Sequence, residues 1–220
     1  VYDANAGGTS GAGVGALNTN RYWNASITSG SANLTSSGKI GLTETGIVNG
    51  TDHVTNSSTQ TGSYSIYSST VTSGVVTTVN AGPIGLGYFV IGKGGTLSGS
   101  YTVGTSGQFQ SLTNGGGLFD VVNAGTVTGN LTITINSDLS AETGSVPLYQ
   151  WTESPASSNF TMLIQSDGTA RTISGSYNGA GISTNGLVRF DGADRVTISG
   201  GSSTQRLLTF RNTNTAGTQN

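Results

Sequence analysis

Apolar residues in this chain come in short runs that alternate with polar ones, and the period is two rather than 3.6. In RYWNASITSG, Trp23, Ala25 and Ile27 fall on one face and Tyr22, Asn24 and Ser26 on the other. GKIGLTETG follows with Ile40 and Leu42, then SYSIYSSTV with Tyr64 and Ile66, then SGVVTTVN between Gly74 and an Asn80-Ala81-Gly82-Pro83 turn. IGLGYFVIGKGG puts Phe89 and Ile91 on one face and Tyr88 and Val90 on the other, the pattern of a strand covered on both sides. Five or six short strands joined by Gly and Asn turns, with no helical pattern, predict an antiparallel β-sandwich over roughly residues 15–93. It falls within a first domain of residues 1–93 that opens with a Gly-rich lead.

The texture changes over residues 94–220. Phe109, Leu112, Leu118, Phe119, Val121 and Val122 have spacings that suit a short capping helix from about Ser111 to Val122, although Gly115, Gly116 and Gly117 each weaken it by about 1 kcal/mol relative to alanine. Beyond Asn130 a shape repeats. NLTITI, FTMLIQS, GLVRFDG and RLLTFRN each read as a short strand. Taking Leu131, Thr161, Leu187 and Leu207 as equivalent gives intervals that shorten along the chain from about 30 to 20 residues, within the range of repeat architectures. A second series, RTISGS and RVTISGG, recurs at a similar interval. Two interleaved strand series predict a solenoid whose coils, of about 22 residues, bury their apolar faces only against one another. On this reading Val188 and Phe190 lie between Leu208 and Phe210 on one side and Met162 and Ile164 on the other. An uncovered last coil would present open strand edges. The expected partner there is a further segment of the same polypeptide or another surface protein.

The run NGLVRFDGADRVTISG followed by LLTFRNTNT resembles the opening coils of large right-handed parallel β-helix proteins secreted by Bacteroidetes, which are commonly adhesin-like. The upstream Tyr101-Thr102-Val103-Gly104 and Gln108-Phe109-Gln110-Ser111-Leu112 are similar to their start; Asn114 to Gly117 depart from the alanine-rich helix expected there. RYWNASI, KIGLTETGI and GPIGLGYFVIG resemble a sandwich module of the same multidomain surface proteins. The resemblance implies an all-β chain, a sandwich followed by the first coils of a right-handed parallel β-helix. It also implies an extracellular or cell-surface location, export by the type 9 secretion system and similarity to gliding-motility adhesins. It carries no activity.

Composition narrows the function. With 36 glycines among short apolar runs, the chain reads as turns between strands rather than as a disordered polymer. Eight basic and ten acidic residues leave no electrostatic footprint for nucleic acid and no basic helix for a lipid surface. No run of apolar residues is long enough to insert as a membrane helix. The absence of cysteine excludes disulfides, thiolate metal sites and cysteine nucleophiles. No cofactor is expected, and structural calcium held by Asp, Asn and backbone oxygens is the one ion compatible with the Gly-rich turns.

Four of the eight basic residues, Arg189, Arg195, Arg206 and Arg211, crowd into residues 189–211 beside Asp191 and Asp194. If TMLIQSDG and GLVRFDG are equivalent, Asp167 occupies the same corner one coil below Asp191, and Asp167, Asp191 and Asp194 become a candidate carboxylate cluster of the kind a glycoside hydrolase needs. The competing role, and the preferred one, is that each aspartate accepts hydrogen bonds from its own turn. Arg171 and Arg195 begin near-identical strands, so stacking would bring them together as a grip for a uronic acid or sulfate; outward scaffold positions are the preferred reading. Tyr149 and Trp151, in VPLYQWTESP, either form a sugar-stacking face on a protruding loop or close over the first coil. His53 sits in the polar NGTDHVTNSS, which reads as a surface loop. The expected function is an extracellular structural or adhesive scaffold segment, with a carbohydrate-active β-helix enzyme (a polysaccharide lyase or glycoside hydrolase) or a non-catalytic glycan-binding module as alternatives.

Overall fold

The computed structural model describes residues 1–2, 4–26, 28, 38–44, 51–79, 86–177, 186–202 and 204–215; Ile27 and the Asn80–Pro83 turn lie outside them. The chain is mostly β, with one short helix among the described residues. No helix is long and apolar enough to cross a membrane. Two compact units are present, one of Val1–Thr96 with Asp120–Thr126 and one of Leu97–Phe119 with Val127–Asn220.

The first unit contains β1 (Thr9–Ser10), β2 (Val14–Ala25), β3 (Gly41–Thr43), β4 (Asp52–Ser57), β5 (Ser63–Tyr67), β6 (Ser69–Thr72), β7 (Val75–Thr78) and β8 (Gly87–Gly94). A five-stranded sheet runs β1-β5-β4-β8-β2 and a three-stranded sheet runs β3-β7-β6. Among the described residues the pairings are antiparallel except β1 on β5. Leu42 and Val76 from the small sheet pack with Val54, Tyr67, Phe89 and Ile91 from the large one, so alternation on both sheets closes one core. The other face of the large sheet buries Ala6, Tyr22, Tyr64 and Val90. Each large apolar side chain taken out of water contributes roughly 1.5–3 kcal/mol.

SYSIYSSTV is not one strand. It breaks at Ser68 between β5 and β6, and the buried Asp120 carboxylate accepts a hydrogen bond from the Ser68 amide (2.7 Å) where the chain changes sheets. β6 then turns into β7 through Ser73 and Gly74 alone, both at positive φ (51° and 79°), the conformation a two-residue hairpin needs.

NGTDHVTNSS corrects the loop reading, since β4 is a central strand paired on both sides. Its polar side chains are tolerated inside because they are satisfied. Thr55 Oγ1 donates to the Val90 carbonyl (2.9 Å), Asn56 Nδ2 to the Tyr88 carbonyl (3.1 Å), and Asp52 pairs with Lys93 at 2.8 Å.

The helix α1 spans Leu118–Ala124, so it begins well downstream of the expected start at Ser111. Before it the Gly-rich segment turns, with the Gly117 amide donating to the Asn114 carbonyl and the Leu118 amide to that of Ser111. Three consecutive glycines cost a helix more than its apolar face returns.

Apart from the first residues of β9 and β10, the second unit contains β9 (Thr96–Val103), β10 (Thr126–Ile135), β11 (Leu148–Tyr149), β12 (Thr152–Glu153), β13 (Met162–Ser166), β14 (Arg171–Gly175), β15 (Phe190–Asp191), β16 (Val196–Ser199) and β17 (Leu208–Asn212). Three rows of parallel strands form. β10, β13 and β16 stack in register, as Leu131, Met162 and Val196 do. β15 lies on β11, with Phe190 beside Leu148. β17 lies on β14, with Phe210 beside Ile173, which is itself bridged to Leu139. The chain visits the rows in turn, and a circuit runs from Leu131 to Met162 in one row and from Leu148 to Phe190 in another. Each is longer than the coil expected from the sequence.

The strands NLTITI and FTMLIQS pair, but one residue out of the expected register, with Leu131 beside Met162 and not Thr161, and the other equivalences are overturned. GLVRFDG lies on β11, RLLTFRN lies on RTISG, and RVTIS lies on MLIQ. Val188 and Phe190 therefore do not sit between Met162 and Phe210. The physical reason is burial: Met162 and Ile164 point inward and select Val196 and Ile198 as neighbours, whereas letter-by-letter similarity selects nothing.

Candidate functional site

Of the charged residues singled out in the sequence, Asp167, Arg171, Asp194 and Arg195 belong to two turns of the second unit, while Asp191 lies in β15 and Arg211 in β17. The first turn joins β13 to β14. Asp167 Oδ1 accepts from the Thr169 amide (3.2 Å), and its carboxylate meets Arg171 through a fork of two bonds, 3.0 Å from Nε and 2.6 Å from Nη2. The Arg171 bonds hold the Asp167 carboxyl at about 2, against a smaller upward push from burial, and the same pair raises the Arg171 guanidinium. Asp138, from the preceding circuit, accepts from the Thr172 amide at 2.9 Å. A carboxylate so engaged is a turn brace rather than a proton donor.

The second turn precedes β16. Arg195 adopts positive φ (55°), and its side chain reaches back over the preceding circuit. There it bonds Asp194 (2.7 Å), the Phe160 carbonyl (3.0 Å) and Glu153 (2.8 Å), and its guanidinium lies 5.7 Å from the centre of the Trp151 ring. Glu153 also accepts from the indole of Trp151 (3.1 Å) and from the amides of Asn159 and Phe160 (both 3.0 Å). Burial pushes the Glu153 carboxyl up. The Trp151 and Asn159 bonds and the Arg195 charge outweigh it and hold the group below the usual range. Glu153 is the hub of this clasp, and the sequence reading missed it, since a single carboxylate in TESPASSN has no periodic or paired signal.

The candidates separate accordingly. Asp167 and Asp191 do not share a corner: Asp167 follows β13 in one row, while Asp191 pairs with Tyr149 in another and is exposed. Asp194 is committed to Arg195. Arg171 and Arg195 are not stacked, because Arg171 lies beside Leu208 and Arg195 precedes the residue beside Met162. Trp151 is 4 % exposed and lies under Arg195, so its ring closes the coil instead of offering a sugar-stacking face; Tyr149 is half-buried in β11.

One further carboxylate escaped notice. Glu142 is 2 % exposed and accepts from the amides of Leu112 (3.0 Å) and Thr113 (2.7 Å) and from the hydroxyls of Ser111 and Thr113. It locks the segment before α1 onto the first circuit. A shallow cleft of about 140 Å³ beside it is lined by Ser111, Asn114, Asp138 and Ser140. Asn114 spans that cleft, donating to the Ala141 carbonyl and accepting from Thr143.

In the first unit, His53 is half-buried in β4, and its Nδ1 accepts from the Ser69 amide at 3.0 Å. Burial lowers its pKa from the ordinary 6.5, outweighing the opposing pull of Asp52. Among the described residues no cluster of His, Asp and Glu side chains is placed to hold a metal ion. Comparison with protein-family models, with curated proteins and with solved structures finds no match to this chain.

Proposed function

We infer that this chain is a structural scaffold segment of an extracellular surface protein, a β-sandwich followed by the first coils of a right-handed parallel β-helix. The observation that carries this reading is the use made of charge in the second unit. Asp167, Arg171, Glu153, Asp194 and Arg195 are each engaged in bracing a turn between parallel strands, and Asp138 and Glu142 tie successive segments together. An enzyme of the β-helix type needs carboxylates facing one substrate at a fixed separation. Here the candidate aspartates lie in different rows, and Asp167 and Asp194 are engaged by the arginines of their turns while Asp191 is exposed.

The row surfaces favour the same role. Outward positions of β10 and β13 carry Thr132, Thr134, Leu163 and Gln165, and those of β14 and β16 carry Thr172, Ser174 and Thr197, a mostly polar and uncharged coat suited to a stalk. The test is depolymerisation of a panel of neutral, uronate and sulfated polysaccharides, read by the release of reducing or unsaturated ends. The purified chain is expected to release none. Turnover that vanishes in the D167N/D191N/D194N variant would replace the scaffold reading with the enzymatic one.

A further inference from the structure

We propose that the end of the second unit formed by β15, β16 and β17 is a docking face for one more parallel coil of polypeptide that carries an apolar residue for each row. The proposal rests on the coil reading above and names what that coil accepts. Phe190, Ile198 and Phe210, one from each row, are 41, 40 and 43 % exposed. Their register partners one circuit earlier, Leu148, Ile164 and Ile173, are 0, 1 and 0 % exposed. The inward pattern is thus repeated on the last circuit without the cover that makes it worthwhile. Leu187 and Val188 join the three side chains around a mostly apolar hollow of about 350 Å³, whose rim carries Arg211 and Asn212.

The backbone repeats the same statement. β15, β16 and β17 each end their row, so among the described residues one edge of each is paired and the other faces no strand. An apolar small molecule would fill the hollow and leave three edges unpaired, and a helix would do the same. Three short strands at the spacing of the rows satisfy both, and this is how β16 and β17 themselves cover β13 and β14. The path past β17 still follows the earlier circuit, with the Thr213 amide on the Gly175 carbonyl and Asn214 Nδ2 on the Tyr177 carbonyl. A circuit here is as long as the stretch from Leu131 to Met162 or from Leu148 to Phe190, so the incoming coil is expected to be of similar length. The incoming coil should carry an aliphatic or aromatic residue at the positions beside Ile198, Phe210 and Phe190.

The experiment compares amide hydrogen exchange in the chain as it stands with that in the same chain extended after Asn220 by a second copy of residues 184–215, whose Phe190, Ile198 and Phe210 supply one apolar residue for each row in chain order. Amides of β16 and β17 that exchange freely in the parent should slow at least tenfold in the extended chain. Ile198→Lys should leave the parent's exchange pattern in β13 intact and abolish that slowing. Unchanged exchange in β16 and β17 of the extended chain overturns the proposal. So does concentration-dependent protection of those amides in the parent, which would assign the face to a second copy. If β13 itself lacks protection in the parent, the coil reading fails; if β13 is protected and β16 gains nothing, only the docking face does.

Discussion

The two units bury their apolar residues by different geometries, and the difference shows in what each leaves exposed. In the first, two sheets turn their faces toward each other, and Val54, Val76 and Phe89 are closed by the opposite sheet at 0 to 1 % exposure. In the second, each circuit covers the one before it, so Ile164 is closed by the circuit carrying Ile198, and Ile198 is left 40 % exposed. Face-to-face packing is self-terminating, and translational stacking is not.

The largest effect expected from this contrast lies at paired positions of one row. Ile164→Ala should destabilise the second unit by about 3 kcal/mol, the usual cost of emptying a closed core site, while Ile198→Ala should cost under about 1 kcal/mol. Chemical denaturation followed by Trp151 fluorescence in a Trp23→Phe background measures both; equal losses would mean that the last circuit is covered after all. Glu142→Ala should come close behind at roughly 2–3 kcal/mol, because it strands the buried amides of Leu112 and Thr113. The first unit's transition, followed by Trp23 with Trp151 replaced by Phe, should not move.

A smaller effect separates the units by acid. His53 has a folded pKa below 6.5, so between the two values the unfolded chain binds more protons. The stability that neutral His53 confers on the first unit is complete above pH 6.5 and is lost as the pH falls below it, since a protonated Nδ1 cannot accept from Ser69. His53→Gln should flatten that response. Asp167, held at about 2 against an ordinary 3.8, contributes in the second unit above pH 3.8 and is lost as the pH falls toward 2. Melting temperatures of each unit between pH 8 and 2 should show the first unit weakening before the second. The smallest effect is Glu153→Gln, which should lower the second unit's melting temperature and shift Trp151 emission to the red as Arg195 lifts from the ring.

Much of this arrangement was legible where burial imposes a period. Phe89 and Ile91 against Tyr88 and Val90 marked β8, and Leu131, Ile133 and Ile135 marked β10. β4 was not legible, because Asp52, Thr55 and Asn56 enter the interior on the strength of hydrogen bonds that only neighbouring strands provide. The rows were misassigned for a related reason. RTISG and RVTISG look alike because each begins at an arginine that braces a turn, Arg171 to Asp167 and Arg195 to Glu153, and similar bracing does not imply adjacent stacking. The working carboxylates stand alone in the sequence, Glu142 in a polar loop and Glu153 at the end of the two-residue β12, and their roles appear only once the chain has closed its circuit.

The register of the rows is the claim on which everything else depends, and the absence of native cysteine makes it directly testable. Leu163 and Thr197 are neighbours in adjacent parallel strands, a separation of about 4.8 Å between backbones that lies within disulfide reach. The L163C/T197C chain should cross-link rapidly under mild oxidation, while T172C/T197C, which tests the stacking of RVTISG on RTISG, should remain reduced. Cross-linking of Thr172→Cys with Thr197→Cys, and not of the first pair, would contradict the account.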